Sequence, residues 1–327
     1  MKPRVLLILC GPVFSVLASL GSAQLPFPID KNQRLEELGD AFTVTGRVRI
    51  PRRLSIEAMR AITIQGKGAD ATLEISGAVK MRAATGGQIV FRDVWVELTP
   101  ECKEITLANC IFKGRGGIRP SPDGPSDTKI SFDRVEFERS ASMTIEASSG
   151  SILMDTCYLD GPLVLRGVPR SETVKSGFSI SVYGSSGKVE GQVRGLLGGI
   201  TVEGIRDGTI RTCDMAGPQA LFIDNGKLAL DGNNVRSKRV EFRNTASVGF
   251  NGLKITKCDF RAEKLVLSSP QGQPERLTFD DCFFRGLEDP DTIRKEMLED
   301  SKNSASGAEA VLRSVRPQPH GLAGVEG

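Results

Sequence analysis

At 327 residues the chain has room for one large domain or two ordinary ones. Its 43 basic and 40 acidic residues nearly cancel, which argues against nucleic acid or an anionic membrane as an electrostatically captured partner. One Trp, two Tyr and one His are a poor kit for sugar stacking or histidine chemistry, whereas 36 glycines point to many turns.

Lys2 and Arg4 precede the apolar run of residues 5–20, and Gly21-Ser22-Ala23 follows it. That is the layout of a secretory signal peptide over residues 1–23, cleaved after Ala23. Its removal takes two bases from 43 and leaves 41 against 40 acids, a balance of +1. A retained anchor is the alternative, and the shortness of the run argues against it. No later stretch is apolar enough to span a bilayer, so the mature chain is expected to be soluble and secreted or periplasmic. Residues 24–41 form a leader. Within it KNQRLEEL (31–38) places Leu35 and Leu38 three apart among charges and stops at Gly39, predicting a short capping helix over the first coil.

From Phe42 apolar residues alternate: Phe42 and Val44, Val48 and Ile50, Leu54 and Ile56, Ile62 and Ile64, Leu73 and Ile75. Period-two runs broken by Gly predict strands. A longer frame then recurs, clearest in ITLANCIFKG (105–114), with apolar residues five and three before a cysteine and two after it. The frames at Cys157, Cys213, Cys258 and Cys282 repeat it, and copies centred on Val94, Val135 and Asn233 drop the cysteine. The steps from Cys110 to Val135, Val135 to Cys157 and Cys258 to Cys282 are 25, 22 and 24 residues. Such a period marks a solenoid, whose units bury their apolar faces only against one another.

Further alternating runs (143–146, 163–166, 221–224 and 265–267) follow each frame by about ten residues, so each coil holds three short strands with a tight turn at the cysteine place. The expected fold is all-β: a right-handed parallel β-helix over residues 42–287 with short helical caps. A leucine-rich-repeat solenoid is the rival, but the leucine it wants eight residues before the cysteine is replaced by residues such as Asp127, Ser149 and Pro274. The 56 residues from Cys157 to Cys213 predict two or three coils, with a loop or lateral projection between Gly184 and Gly208. Residues 288–300, opening on Asp289-Pro290-Asp291, predict a C-terminal capping helix, and residues 301–327 a disordered tail.

The stretch ITIQGKGADATLEI (62–75) resembles the first coils of pectate-lyase-like proteins, and ITLANCIFKG resembles their recurrent coil with its turn asparagine. The resemblance implies the parallel β-helix and a substrate groove on the outer face of one strand stack. Taking the third strands as that stack, the outward residues are Arg119, Thr144 with Glu146, Val164 with Arg166, and Phe222 with Asp224. Glu146 would then sit between Arg119 and Arg166 on adjacent coils. In such enzymes an arginine abstracts a proton from an acidic sugar while carboxylates hold calcium. The plainer reading is a solvated Arg–Glu–Arg ladder that keeps a flat face soluble.

Other motifs carry less. Asp280-Asp281 is similar to the aspartate pair of polygalacturonases, but the accompanying Asn-Thr-Asp, Gly-His-Gly and Arg-Ile-Lys motifs are absent and Asp281 is expected in a turn. Asn109, Asn233 and Asn234 suggest part of an asparagine ladder. The six cysteines after Cys10 are read as an inward stack of free thiols, since parallel side chains on adjacent strands are poorly placed to bridge. Cys258 with Cys282 and Cys102 with Cys110 are the pairs nearest to an exception.

The sequence therefore predicts an exported, non-catalytic β-helix acting as a binding surface or cell-envelope scaffold, with a polysaccharide or a cell-envelope component as its expected partner. The alternative is a divergent polysaccharide lyase or glycoside hydrolase, and a third reading is an assembly subunit joined through its lateral faces. Arg119, Glu146, Arg166 and Asp224 are the substrate-binding candidates. No residue is assigned to catalysis or metal, no cofactor is implied, and the oligomeric state is left open.

Overall fold

The computed structural model describes residues 25–27, 33–34, 39–123, 126–138, 140–169, 176–184, 188–189, 192–193, 195–243, 252–268 and 277–286. The expected signal peptide, the C-terminal helix over 288–300 and the tail over 301–327 lie outside the described residues.

Twenty-six strands join in one hydrogen-bonded network, and every pairing within it is parallel. The chain wraps this network into three faces, here called sheets I, II and III in the order each coil visits them. Strand Ala41–Ile50 runs along sheet I, bends at Gly46 and enters sheet II; Leu54–Ala58 then lies in sheet III before Ala61–Ile75 returns to sheet I one rung higher. Three strands per coil, with no helix among the described residues, make this a parallel β-helix and not a leucine-rich repeat.

Period-two alternation puts one side of every strand inside. In sheet I the inward register runs Phe42, Ile64, Phe91, Phe112, Phe137 and Leu159. Phe91, Phe112 and Phe137 stack with centroids 4.6 and 4.5 Å apart and planes within 11° of parallel, because in-register rungs leave like side chains face to face at the strand spacing.

The corner from sheet III to sheet I explains the cysteine frame. Asn109, Arg134, Thr156, Thr212, Lys257 and Asp281 each precede a frame centre, and each has φ between 50° and 53°. One left-handed residue turns the chain sharply, so the next side chain drops into the core while strands on both sides keep their ladders. Gly232 fills the same place before Asn233, with φ 62°. Asp281 is thus a turn residue, as expected. Asn109 donates from its side-chain amide to the Ala83 carbonyl at 2.6 Å and Asn233 to that of Ile210 at 2.8 Å, each tying its coil to the one below. Asn225 does the same for Val202 at 2.9 Å, at another corner.

The six cysteines from Cys102 to Cys282 are free and buried, so neither Cys258 with Cys282 nor Cys102 with Cys110 is bridged. Burial pushes the thiols of Cys157 and Cys213 up to about 12 and raises that of Cys110 further. The segment between Cys157 and Cys213 makes two coil steps, through Leu159, Leu196 and Met215. Lys188–Val189 and Gln192–Val193 form a separate antiparallel hairpin there, where the weakened frame predicts a projection.

Two expectations need correction. The leader is expected to carry a helix over 31–38; of that stretch Gln33 and Arg34 alone are among the described residues, and the described leader extends the solenoid: Leu25–Pro26 pairs with Phe42–Thr43 in sheet I, and Gln33–Arg34 with Ile56–Glu57 in sheet III. The first coil's open edge offers a row of unpaired backbone groups, and extended chain satisfies them where a helix cannot. The β-helix therefore begins before residue 42. The frame copy centred on Val94 is also displaced by one face. Ile89 pairs with Cys110 in sheet I, and Asp93, with φ 54°, turns from sheet I into sheet II. An apolar alternation, a left-handed residue and an apolar residue look alike at both corners.

Candidate functional site

The third-strand face is sheet II. Outward positions there fall into columns fixed by register. One passes through Arg49, Glu74, Glu97 and Arg119, and on through Thr144, Val164 and Thr201. A second holds Glu146, Arg166, Glu203 and Ile223.

Both oxygens of Glu97 are engaged. Arg47 donates to one, and Arg119 Nε donates to the other at 3.1 Å. Arg47 also pairs with Glu74. The Glu97 side chain is only 3% exposed beneath these two arginines. The Arg119 guanidinium lies 4.6 Å from the ring centroid of Trp95, so the single tryptophan is a cation–π platform beside the strand.

Arg166 sits between two carboxylates, donating to Glu146 and, through Nε, to Glu203 at 2.9 Å. A third group lies two coils beyond, where Arg239 donates to Glu241 at 2.6 Å and Arg243 stands 3.7 Å from its other oxygen. Glu241, at 8% exposure, is covered much as Glu97 is.

Of the four predicted residues, then, Glu146 and Arg166 come together. Arg119 does not complete their ladder: its partner is Glu97, and the group around Arg166 is Glu–Arg–Glu, the reverse of the expected order. Asp224 is not on the face at all. Strand Asp214–Ile223 ends one residue earlier, and Asp224, with φ 50°, turns the corner into sheet III. Phe222, expected outward beside it, is buried and stacks on Phe242 at 5.2 Å. Arg47, Glu74, Glu97, Glu203 and Glu241 were missed. Their alternation was visible in runs such as Trp95-Val-Glu97-Leu, but the displaced frame at Val94 put that run on the wrong face.

No protein-family model, characterised protein or solved structure matches this chain.

The chemistry open to sheet II follows from its pairing. An arginine serving as a base must release its proton, yet hydrogen bonds to Glu97 and Glu74 raise Arg47, and the bond to Glu203 is foremost in raising Arg166. The five carboxylates named here each accept from, or lie against, an arginine. Among the described residues no three His, Cys, Asp or Glu side chains gather as metal ligands would.

Sheet III presents a different surface. Ser181, Thr209 and Ala229 follow one another on consecutive rungs at an outward position. Over them lies an open, shallow depression of about 510 Å³, bordered by Ser179, Asp207, Lys227 and Lys254.

Proposed function

We propose that this chain is an exported, non-catalytic β-helix whose outer faces serve as a binding surface or cell-envelope scaffold, with polysaccharide as the expected partner class. The observation that carries this reading is the closure of sheet II, where Glu97, Glu146, Glu203 and Glu241 are held by arginines. A lyase or hydrolase needs at least one group free to take a proton and a space beside it. The charged face instead has the form of a ladder of ion pairs that keeps the surface polar, its exposed pairs contributing little energy each while Glu97 and Glu241 lie covered beneath their arginines. Export is supported by the sequence of residues 1–23.

The test is to incubate the purified chain with acidic and neutral polysaccharides, with and without calcium, following polymer length and ultraviolet absorbance from unsaturated ends. Retention on insoluble envelope polysaccharide without shortening of the polymer is the expected result. Unsaturated product that disappears in an Arg166→Ala variant would replace this reading with a lyase. Absence of retention on every polymer would remove polysaccharide as the partner.

A further inference from the structure

The outer face of sheet III carries charges that have no ion-pair partner among the described residues: Glu104, Lys129 and Lys227. Lys129 is in register with Glu104, and Asp207 with Lys227, yet neither neighbouring pair closes to ion-pair distance. Two of the four exposed large apolar side chains among the described residues, Leu153 and Tyr183, lie on adjacent rungs of this face. Leu153, 42% exposed, shares its column with the small residues Ser181, Thr209 and Ala229, so a protrusion stands next to the depression.

We propose that this face pairs with the same face of a second copy of the chain. The two-fold axis lies in the interface, parallel to the strands, between the rungs of Leu153 and Ser181. Such an axis reverses the rung order and keeps each column opposite itself, and the side chains then answer one another. Leu153 of each copy meets the hollow at Ser181 of the other. Tyr183 meets Asp155, to which its hydroxyl can donate. One rung further, Lys129 faces Asp207, which lies 3.3 Å from Arg206 of its own chain, and Asp133 and Arg211, paired in their own chain with Arg134 and Asp231, face each other; beyond that, Glu104 faces Lys227. Each match occurs twice, as an isologous interface requires.

The match ends at the next rung, where Lys80 would face Lys254, so six rungs take part. At ~4.8 Å per rung and ~3.3 Å per residue over five residues, the patch measures roughly 29 by 16 Å. That is the footprint of a small, reversible dimer and not of an obligate one. The inference is independent of the proposed function, since an enzyme could pair in the same way.

Sedimentation equilibrium on the mature chain tests it. A concentration-dependent monomer–dimer equilibrium is expected. Lys129→Asp alone should weaken it by about tenfold or more, because each copy then sets two like charges together. Combining Lys129→Asp with Asp207→Lys should restore it, and Leu153→Arg should abolish it. Circular dichroism and thermal unfolding check that each variant is folded, which surface positions allow. A wild-type chain that stays monomeric at millimolar concentration overturns the proposal. So does a dimer indifferent to these substitutions, or a double swap that fails to recover what the single change lost.

Discussion

Sheets II and III are built from the same coils at the same spacing, but their outer surfaces have been finished differently. On sheet II the carboxylates find guanidinium groups within the chain, and two of them, Glu97 and Glu241, are nearly covered. On sheet III, Lys129 with Glu104 and Asp207 with Lys227 sit on adjacent rungs without meeting, and the column beside them continues through the small residues Ser181, Thr209 and Ala229. Register alone therefore does not make an ion pair. Arginine is long, and its planar fork reaches two coils, as Arg47 does to Glu74 and Glu97. The lysines of sheet III supply a compact charge on a flexible stem, which keeps its water unless a partner is fixed in place. A closed face stabilises the coil it covers; an open one is available to another molecule.

That contrast can be broken most directly at Glu97. Replacing it with Ala leaves Arg47 and Arg119 without their shared acceptor, and should lower the unfolding free energy by about 2–3 kcal/mol in urea titration. The same variant releases Arg119 from its position over Trp95, so the emission of the only tryptophan should change. A loss below about 0.5 kcal/mol would mean that sheet II is no more closed than an ordinary surface. Arg166→Ala should cost less, about 1 kcal/mol, because Glu146 and Glu203 are 24% and 34% exposed and water can take over the screening. Thr209→Lys on sheet III should leave the monomer's stability within about 0.5 kcal/mol while filling the depression, so it separates folding from association.

The smallest effect is expected at the edge of sheet III, where Arg211 and Asp231 pair across adjacent rungs. Thr256 Oγ1 donates to Asp231 at 3.0 Å and Arg211 Nε donates to its other oxygen at 2.9 Å, and these bonds, the threonine's first, hold the carboxyl below the usual aspartate range. A depressed folded-state value means that the stabilisation is present above the unfolded aspartate pKa of about 3.9 and is lost as pH falls through the folded value. Asp231→Asn should therefore be a few tenths of a kcal/mol less stable at neutral pH, with the difference closing below about pH 4. A difference that persists at pH 2 would assign the loss to packing instead.

The interior was the legible part of this chain. An inward position must be apolar whatever lies outside, so Ile105, Leu107, Cys110 and Phe112 announce a strand, a turn and a strand before any contact is known. The outer wall was not, because which outward residues meet depends on parity and coil length. A slip of one residue exchanges the two sides of a strand. At 221–224 that slip put Phe222 outside when it is stacked within, and moved Asp224 from a corner onto a face. Glu203 could not be placed beside Arg166 because it lies 37 positions further along the chain, with the hairpin at 188–193 between them. The leader misled for a different reason. Leu35 and Leu38 report local helical spacing, whereas Gln33 and Arg34 follow the hydrogen-bonding demand of a distant strand.

The left-handed corner before each frame cysteine has a consequence for how the chain reaches its fold. Each sulfur becomes hidden only when the coils above and below have closed over it, so an oxidant competes with winding. In a medium that makes disulfides, early collisions among six accessible thiolates would tie distant coils together before they could stack. Rapid, stepwise winding from an already formed end would outrun that chemistry, and a chain refolded slowly in oxidised glutathione should be trapped in cross-linked forms that a reductant sets free.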